Sequence, residues 1–153
     1  MDFKDIINQR RSVNFFDPEK DVPESLLKEV VEMAAKAPSG FNLQPWNLMV
    51  IRDKEEKNQL QQLAWNQPKV SEAPVVLIVL ADRDGWKGGH PIVEKNFTEM
   101  VSAGAMTDEQ HQWFIDTCAA LYGSSEDRQQ AFACKNTGFF AMSLMFAAKQ
   151  LGL

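Results

Sequence analysis

Val75-Val76-Leu77-Ile78-Val79-Leu80-Ala81 (VVLIVLA) is a continuous apolar run rich in β-branched residues. A run this short, apolar on both faces, reads as a central strand covered by helices on each side. Upstream, Trp46 to Ile51 (WNLMVI) reads as a second strand. Between the two, Asp53 followed by Glu56 has the spacing of a capping box, which opens a helix over Lys54 to Ala64. Strands alternating with helices of about ten residues or more point to an α/β or α+β layered fold.

Working outward, Phe3, Ile6 and Ile7 lie at helical spacing after Asp2, predicting a short helix that stops near Arg10. Asn14 to Asp21 (NFFDPEKD) is a loop, with Asp17-Pro18 as its turn signal. Pro23 suits a first helical position, and Leu26, Leu27, Val30, Val31 and Ala34 then recur with helical period. That helix must end before Pro38, because a residue preceding proline is pushed away from helical angles. Ala37 to Asn42 (APSGFN) is therefore a loop.

On the C-terminal side, Arg83 to Pro91 (RDGWKGGHP) is turn-rich. Thr107 with Gln110 is a second capping-box candidate, opening a helix through Trp113, Phe114 and Leu121. A last helix runs from about Glu126 to Leu151. Between Gly138 and Leu151 only Ser143, Lys149 and Gln150 are polar or charged. A helix apolar almost all round must be covered on most sides. It is either the central helix of the core or a helix shared between two subunits, and the second reading explains it better.

With 153 residues the chain is expected to form one domain rather than two with separate cores. Its 44% hydrophobic and 24% charged composition is that of an ordinary globular protein. The net charge of −5 argues against bulk attraction to nucleic acid or to an anionic membrane. No apolar run approaches the roughly 18 residues of a spanning helix, and Met1-Asp2-Phe3-Lys4-Asp5 is too polar for a signal peptide. Cys118 and Cys134 form neither a disulfide framework nor a metal-ligand spacing, and a reducing cytoplasm is the natural compartment. Both read as buried, small apolar residues. His90 and His111 have no motif-level partners and read as solvated. Neither a phosphate-binding Gly-rich loop nor a dinucleotide fingerprint is present, so chemistry here would be carried by a cofactor.

Two loops concentrate the polar groups that could hold one. Arg10-Arg11-Ser12-Val13-Asn14 places paired guanidinium groups beside a hydroxyl, a set suited to phosphate but equally compatible with a solvated basic pair. Pro38-Ser39-Gly40-Phe41-Asn42-Leu43-Gln44-Pro45-Trp46 has two prolines that restrain the backbone. Its Ser39, Asn42 and Gln44 offer donors and acceptors suited to a planar heteroaromatic edge, although an ordinary capped loop would look the same.

Taken together, Arg10-Arg11-Ser12, the run from Ala37 to Trp46, Glu72-Ala73-Pro74 ahead of the apolar strand, and the ending Ala147 to Leu153 resemble the flavin-dependent nitroreductase family. The resemblance covers most of the chain outside about Asp84 to Arg128. It implies an α+β, nitroreductase-like layered fold, with a central sheet flanked by helices and a long buried helix at a homodimer interface. It also implies two FMN molecules bound at that interface. The residues matching Arg10 and Ser12 would hold the phosphate and ribityl chain, with Arg11 and Asn14 close by. The loop matching Pro38, Ser39 and Gly40 would line the isoalloxazine from the partner subunit, with Asn42 and Gln44 shaping it. Asn66 and Lys69 fall near positions that contact the flavin's polar edge.

The resemblance further implies a ping-pong oxidoreductase taking electrons from NAD(P)H and passing them to a nitroaromatic, quinone or similar small acceptor. No side chain is expected to act as a catalytic acid or nucleophile, and no metal is expected. Two departures stand out: Asn14 replaces a common basic residue, and Gly40 replaces a common serine. Family members continue beyond the position of Leu153, so residues 1–153 are expected to form a single domain without the family's C-terminal segment. A flavin-binding storage or sensor module is the alternative. A purely structural helical dimer would leave both polar loops unexplained.

Overall fold

A computed structural model describes residues 2–153. It contains seven α-helices and two strands among the described residues: α1 (Phe3–Gln9), α2 (Glu24–Ala34), β1 (Trp46–Ile51), α3 (Lys54–Leu63), α4 (Pro68–Glu72), β2 (Val76–Ala81), α5 (Pro91–Ser102), α6 (His111–Cys118) and α7 (Glu126–Gln150). A helix-rich chain with a small sheet is α+β. The chain divides into two compact units, one holding the residues up to Ala34, Leu48–Val79 and Met142–Leu153, the other Ala35–Asn47 and Leu80–Ala141.

In the first unit β1 and β2 pair, forming a two-stranded sheet among the described residues. The Asp2 carboxylate accepts the Asp5 N–H (2.9 Å) and starts α1, whose buried residue is Ile6. Phe3 of that helix meets Phe146 edge-on, with ring centroids 5.8 Å apart. The Asp17-Pro18 turn closes through the Lys20 N–H on Asp17 O (3.2 Å) and the Glu19 N–H on the Asp17 carboxylate (3.0 Å). Helix α2 turns Leu27, Val30 and Ala34 inward at helical spacing. Its start is tied to the end of β1 by Arg52, which donates to Val22 O (2.9 Å) and pairs with Asp21 and Glu24. The expected cap of α3 is present: the Asp53 carboxylate accepts the Glu56 N–H at 3.0 Å. Lys57 on α3 is buried, and its ammonium is satisfied by Ala73 O at 2.8 Å, ahead of β2.

The second unit is built on a core of Leu43, Val93, Phe97, Phe114, Cys118 and Phe132. Phe97 and Phe114 pack with centroids 5.6 Å apart, and Trp46 stacks on Phe140 at 4.9 Å. The Gln110 side chain accepts the Thr107 N–H (2.9 Å), as the capping-box spacing predicts. A 3-10 turn over Asp108–Gln110 then leads into α6. That helix stops at Cys118 and passes through a π-type turn over Ala119–Gly123, so Leu121 lies beyond it.

Several expectations are corrected. Helix α5 occupies a region to which the sequence reading assigns no element; His90 caps it and Pro91 is its first residue. The run at 75–81 is half-buried through Val79 and exposed at Leu80 and Ala81, rather than sealed on both faces. Cys118 is buried, but Cys134 is exposed on α7. The histidines are not simply solvated. His90 Nε2 lies 3.1 Å from the Asp82 carboxylate, and His111 Nε2 lies 2.7 Å from that of Glu94. Helix α7 forms over nearly the expected span; Phe140, Leu144 and Ala147 are buried, while Phe139 and Met145 are each 45% exposed. Among the described residues no helix is long and apolar enough to cross a membrane.

Candidate functional site

In the first unit the chain leaves α1 at Arg10, whose N–H closes the helix on Ile6 O (2.9 Å). Arg10 is half-buried, while Arg11, Ser12 and Asn14 are exposed. Arg11 folds back so that its Nη1 donates to Arg10 O at 2.7 Å. Asn14 and Lys69 line one cavity of about 310 Å³, together with Phe15, Gln67, Pro68 and Glu72. Thus the structure brings together two of the expected residues that stand 55 positions apart in sequence (69 minus 14).

Asn66 lies in the tight turn between α3 and α4. Trp65 and Asn66 both have φ of 56°, in the left-handed region that an asparagine tolerates and a tryptophan rarely visits. The turn is closed by Gln61, whose backbone carbonyl accepts the Asn66 N–H at 2.9 Å. Trp65 is 91% exposed as a result. The same unit carries an apolar groove of about 430 Å³, lined in part by Val13, Phe16, Leu77, Leu144 and Met145.

In the second unit the loop from Pro38 to Gln44 is not a plain loop but holds a 3-10 turn over Gly40–Asn42. Phe41, Asn42 and Gln44 have φ of 49°, 53° and 45°. Left-handed non-glycine residues of this kind cost on the order of 1–3 kcal/mol each and persist only where their surroundings over-determine them. The surroundings here are three buried polar side chains that sequence reasoning missed.

Asn136 on α7, 1% exposed, accepts the Gly40 N–H at 3.2 Å and donates to Phe132 O at 2.7 Å. Thr137, next to it, donates its hydroxyl to Pro45 O at 2.9 Å. Asn96 on α5 donates to the carbonyl of Asn42 and accepts from the Asn42 side chain at 3.3 Å. Gln44 Nε2 donates to Asn42 Oδ1 at 3.0 Å, so the Asn42 amide is engaged at both ends. Ser39 Oγ accepts the Gln44 N–H (3.0 Å), which leaves the hydroxyl proton free to be donated elsewhere. The available signal for the two asparagines was a polar residue on the apolar stripe of a helix, Asn96 at helical spacing with Val93 and Phe97, Asn136 with Phe132 and Phe140, since a buried amide must find partners.

Over the same loop sits Tyr122. Its ring stacks on Phe132 (centroids 4.3 Å) and meets Phe41 edge-on at 6.3 Å. Burial, with a smaller contribution from Cys118, pushes the phenol above its ordinary pKa of 10. Burial also pushes the Cys118 thiol up to about 11. Glu94 is held below the usual carboxylate value by the Gly89 N–H and then by the His111 hydrogen bond. Among the described residues no group of three or more His, Cys, Asp or Glu is placed to hold a metal ion.

A family model described as the nitroreductase family matches residues 7–153. A Bacillus subtilis protein provisionally named NAD(P)H nitroreductase YodC is 34% identical over 149 residues, covering 97% of this chain and 71% of that protein. The crystal structure of a Bacillus subtilis protein described as a nitroreductase, ydfN, superposes with a TM-score of 0.88 at 27% identity, over 98% of this chain and 71% of the other. A protein from Exiguobacterium sibiricum described as a nitroreductase, solved in complex with FMN, superposes with a TM-score of 0.83 at 25% identity, over 99% of this chain and 71% of the other.

Proposed function

The chain belongs to the nitroreductase family, and from that premise we propose that it is an FMN-dependent oxidoreductase passing electrons from NAD(P)H to a nitroaromatic, quinone or similar acceptor in a ping-pong cycle. The donor set suits that cofactor. Arg10, Arg11 and Ser12 supply guanidinium and hydroxyl groups of the kind that bind a phosphate bidentately. Asn14 and Lys69, sharing one cavity, add an amide and a cation, with Asn66 in the adjoining turn. Pro38, Ser39, Gly40, Asn42 and Gln44 present no cation and suit a neutral ring edge.

FMN, when bound, supplies the hydride and electron chemistry. The residues of this chain then bind, orient and tune. Arg10, Arg11 and Ser12 hold the phosphate end. Lys69 stabilises negative charge at the polar edge of the ring, and Asn66 offers that edge an amide. Ser39 has a hydroxyl proton to give, because its oxygen already accepts the Gln44 N–H. Asn42 and Gln44 act within the loop, holding its shape.

The single observation that carries this reading is the loop itself: a segment with three left-handed residues, tied by hydrogen bonds to Asn96, Asn136 and Thr137, so that its shape is set by the chain's own side chains. Preorganisation of this kind lowers the ordering cost of binding. The exposed faces of Phe139 and Met145, and the apolar groove beside Leu144, support a homodimer; the family resemblance implies that in it the loop of one subunit serves the phosphate site of the other. The absorption spectrum of the purified protein tests the cofactor, and NAD(P)H oxidation with varied acceptor tests the reaction. Flavin bands and parallel double-reciprocal lines are expected; colourless protein that binds no added FMN would overturn the reading. Sedimentation tests the dimer, and a flavin-loaded monomer would refute it.

A further inference from the structure

The closest approach to the Pro38–Gln44 loop at Gly40 is made by the Tyr122 side chain. A Cβ built on Gly40 would overlap the Tyr122 hydroxyl and lie 2.9 Å from Tyr122 Cζ. The tyrosine cannot simply swing away, since its ring is stacked on Phe132 and edged by Phe41. The space a side chain at position 40 would need is therefore filled by the Tyr122 hydroxyl, delivered from the turn after α6.

Among the described residues the hydroxyl donates no hydrogen bond to a protein acceptor, and it is not among the buried polar atoms left without a partner. It therefore reaches solvent at the loop. Resting on the flavin reading above, we infer that Tyr122 determines acceptor specificity, its O–H donating a hydrogen bond to a carbonyl or nitro oxygen of the molecule stacked at the Pro38–Gln44 loop. Burial keeps the phenol protonated across the neutral range, which is the state a donor needs. No covalent step is involved; the group binds and orients.

The test uses the flavin-loaded protein and Tyr122→Phe, which preserves the ring and its stacking. Without NAD(P)H, 4-nitrobenzoate is titrated against the flavin absorption band. With NAD(P)H, kcat/KM is compared for 1,4-benzoquinone and for ferricyanide, which takes electrons without needing an oriented carbonyl. The variant is expected to weaken nitrobenzoate binding and lower kcat/KM for the quinone about three- to tenfold, the range of one neutral hydrogen bond. FMN affinity and the ferricyanide rate should stay within about twofold.

Unchanged nitrobenzoate affinity and quinone kinetics in Tyr122→Phe, or equal losses for quinone and ferricyanide, would overturn the assignment. Wild-type protein that binds no FMN would instead show that the flavin reading itself has failed, and the assignment with it.

Discussion

Replacing Asn136 by Leu asks what holds the strained loop. The side chain is almost fully buried and bridges two elements, accepting the Gly40 N–H and donating to Phe132 O. Leucine has the same side-chain heavy-atom count and branching, so no cavity is left; its bulkier methyl groups add an overpacking cost to the lost polar contacts. The Gly40 N–H, part-buried, loses its partner, and stranding such a donor costs about 1–3 kcal/mol. Phe132 O loses less, because a helical carbonyl has a second lone pair and its own helical bond. The net expectation is a destabilisation of about 1–3 kcal/mol, or roughly 2–10 °C in Tm for a chain of this length.

Thermal unfolding followed by circular dichroism reads the magnitude, and amide exchange reads the place. The Gly40 amide should lose its protection while amides in α3 keep theirs. A Tm within about 1 °C of wild type, or a Gly40 amide still protected, would refute the view that Asn136 presets the loop.

Arg10→Ala should weaken FMN binding by about 1.5–3 kcal/mol, the value of a hydrogen bond to a charged group; fluorescence titration measures it, and equal affinity would remove Arg10 from the phosphate site. At pH 8 the native protein should react with one equivalent of a thiol reagent, at the exposed Cys134, because the Cys118 thiol, pushed up to about 11, stays protonated and buried; both should react after denaturation. Glu94 is held below its ordinary 4.5 by the Gly89 N–H and by His111, so its contribution is complete above pH 4.5 and disappears as pH falls through the lowered value. Glu94→Gln should therefore flatten the acid limb of the stability curve, measured by urea titration below pH 4.5; an unchanged limb would deny Glu94 that role.

Much of the secondary structure was legible because its signals are local. Asp53 with Glu56, Thr107 with Gln110, and the prolines at 23 and 38 each act over three or four residues, and the chain obeys them. The apolar patterns of α2 and α7 likewise identify helices on their own. Helix α5 was open to the same reasoning, through Pro91 and the spacing of Val93 and Phe97, but the glycines before it drew the reading toward turn.

The composition of both polar loops was also plain in the sequence: guanidinium groups in one, a serine, an asparagine and a glutamine between prolines in the other. What tertiary structure alone decided is how those groups are spent. Asn136 and Thr137 reach the loop across 96 and 92 positions, and Asn96 across 54, turning Asn42 inward and leaving the Ser39 proton to point elsewhere. Asp82 and Glu94 capture the two histidines in the same way, from eight and seventeen positions off. Local propensity acts on neighbours in the chain, whereas a buried hydrogen bond joins whatever the packed core brings to within about 3 Å, and that pairing exists only once the core has formed.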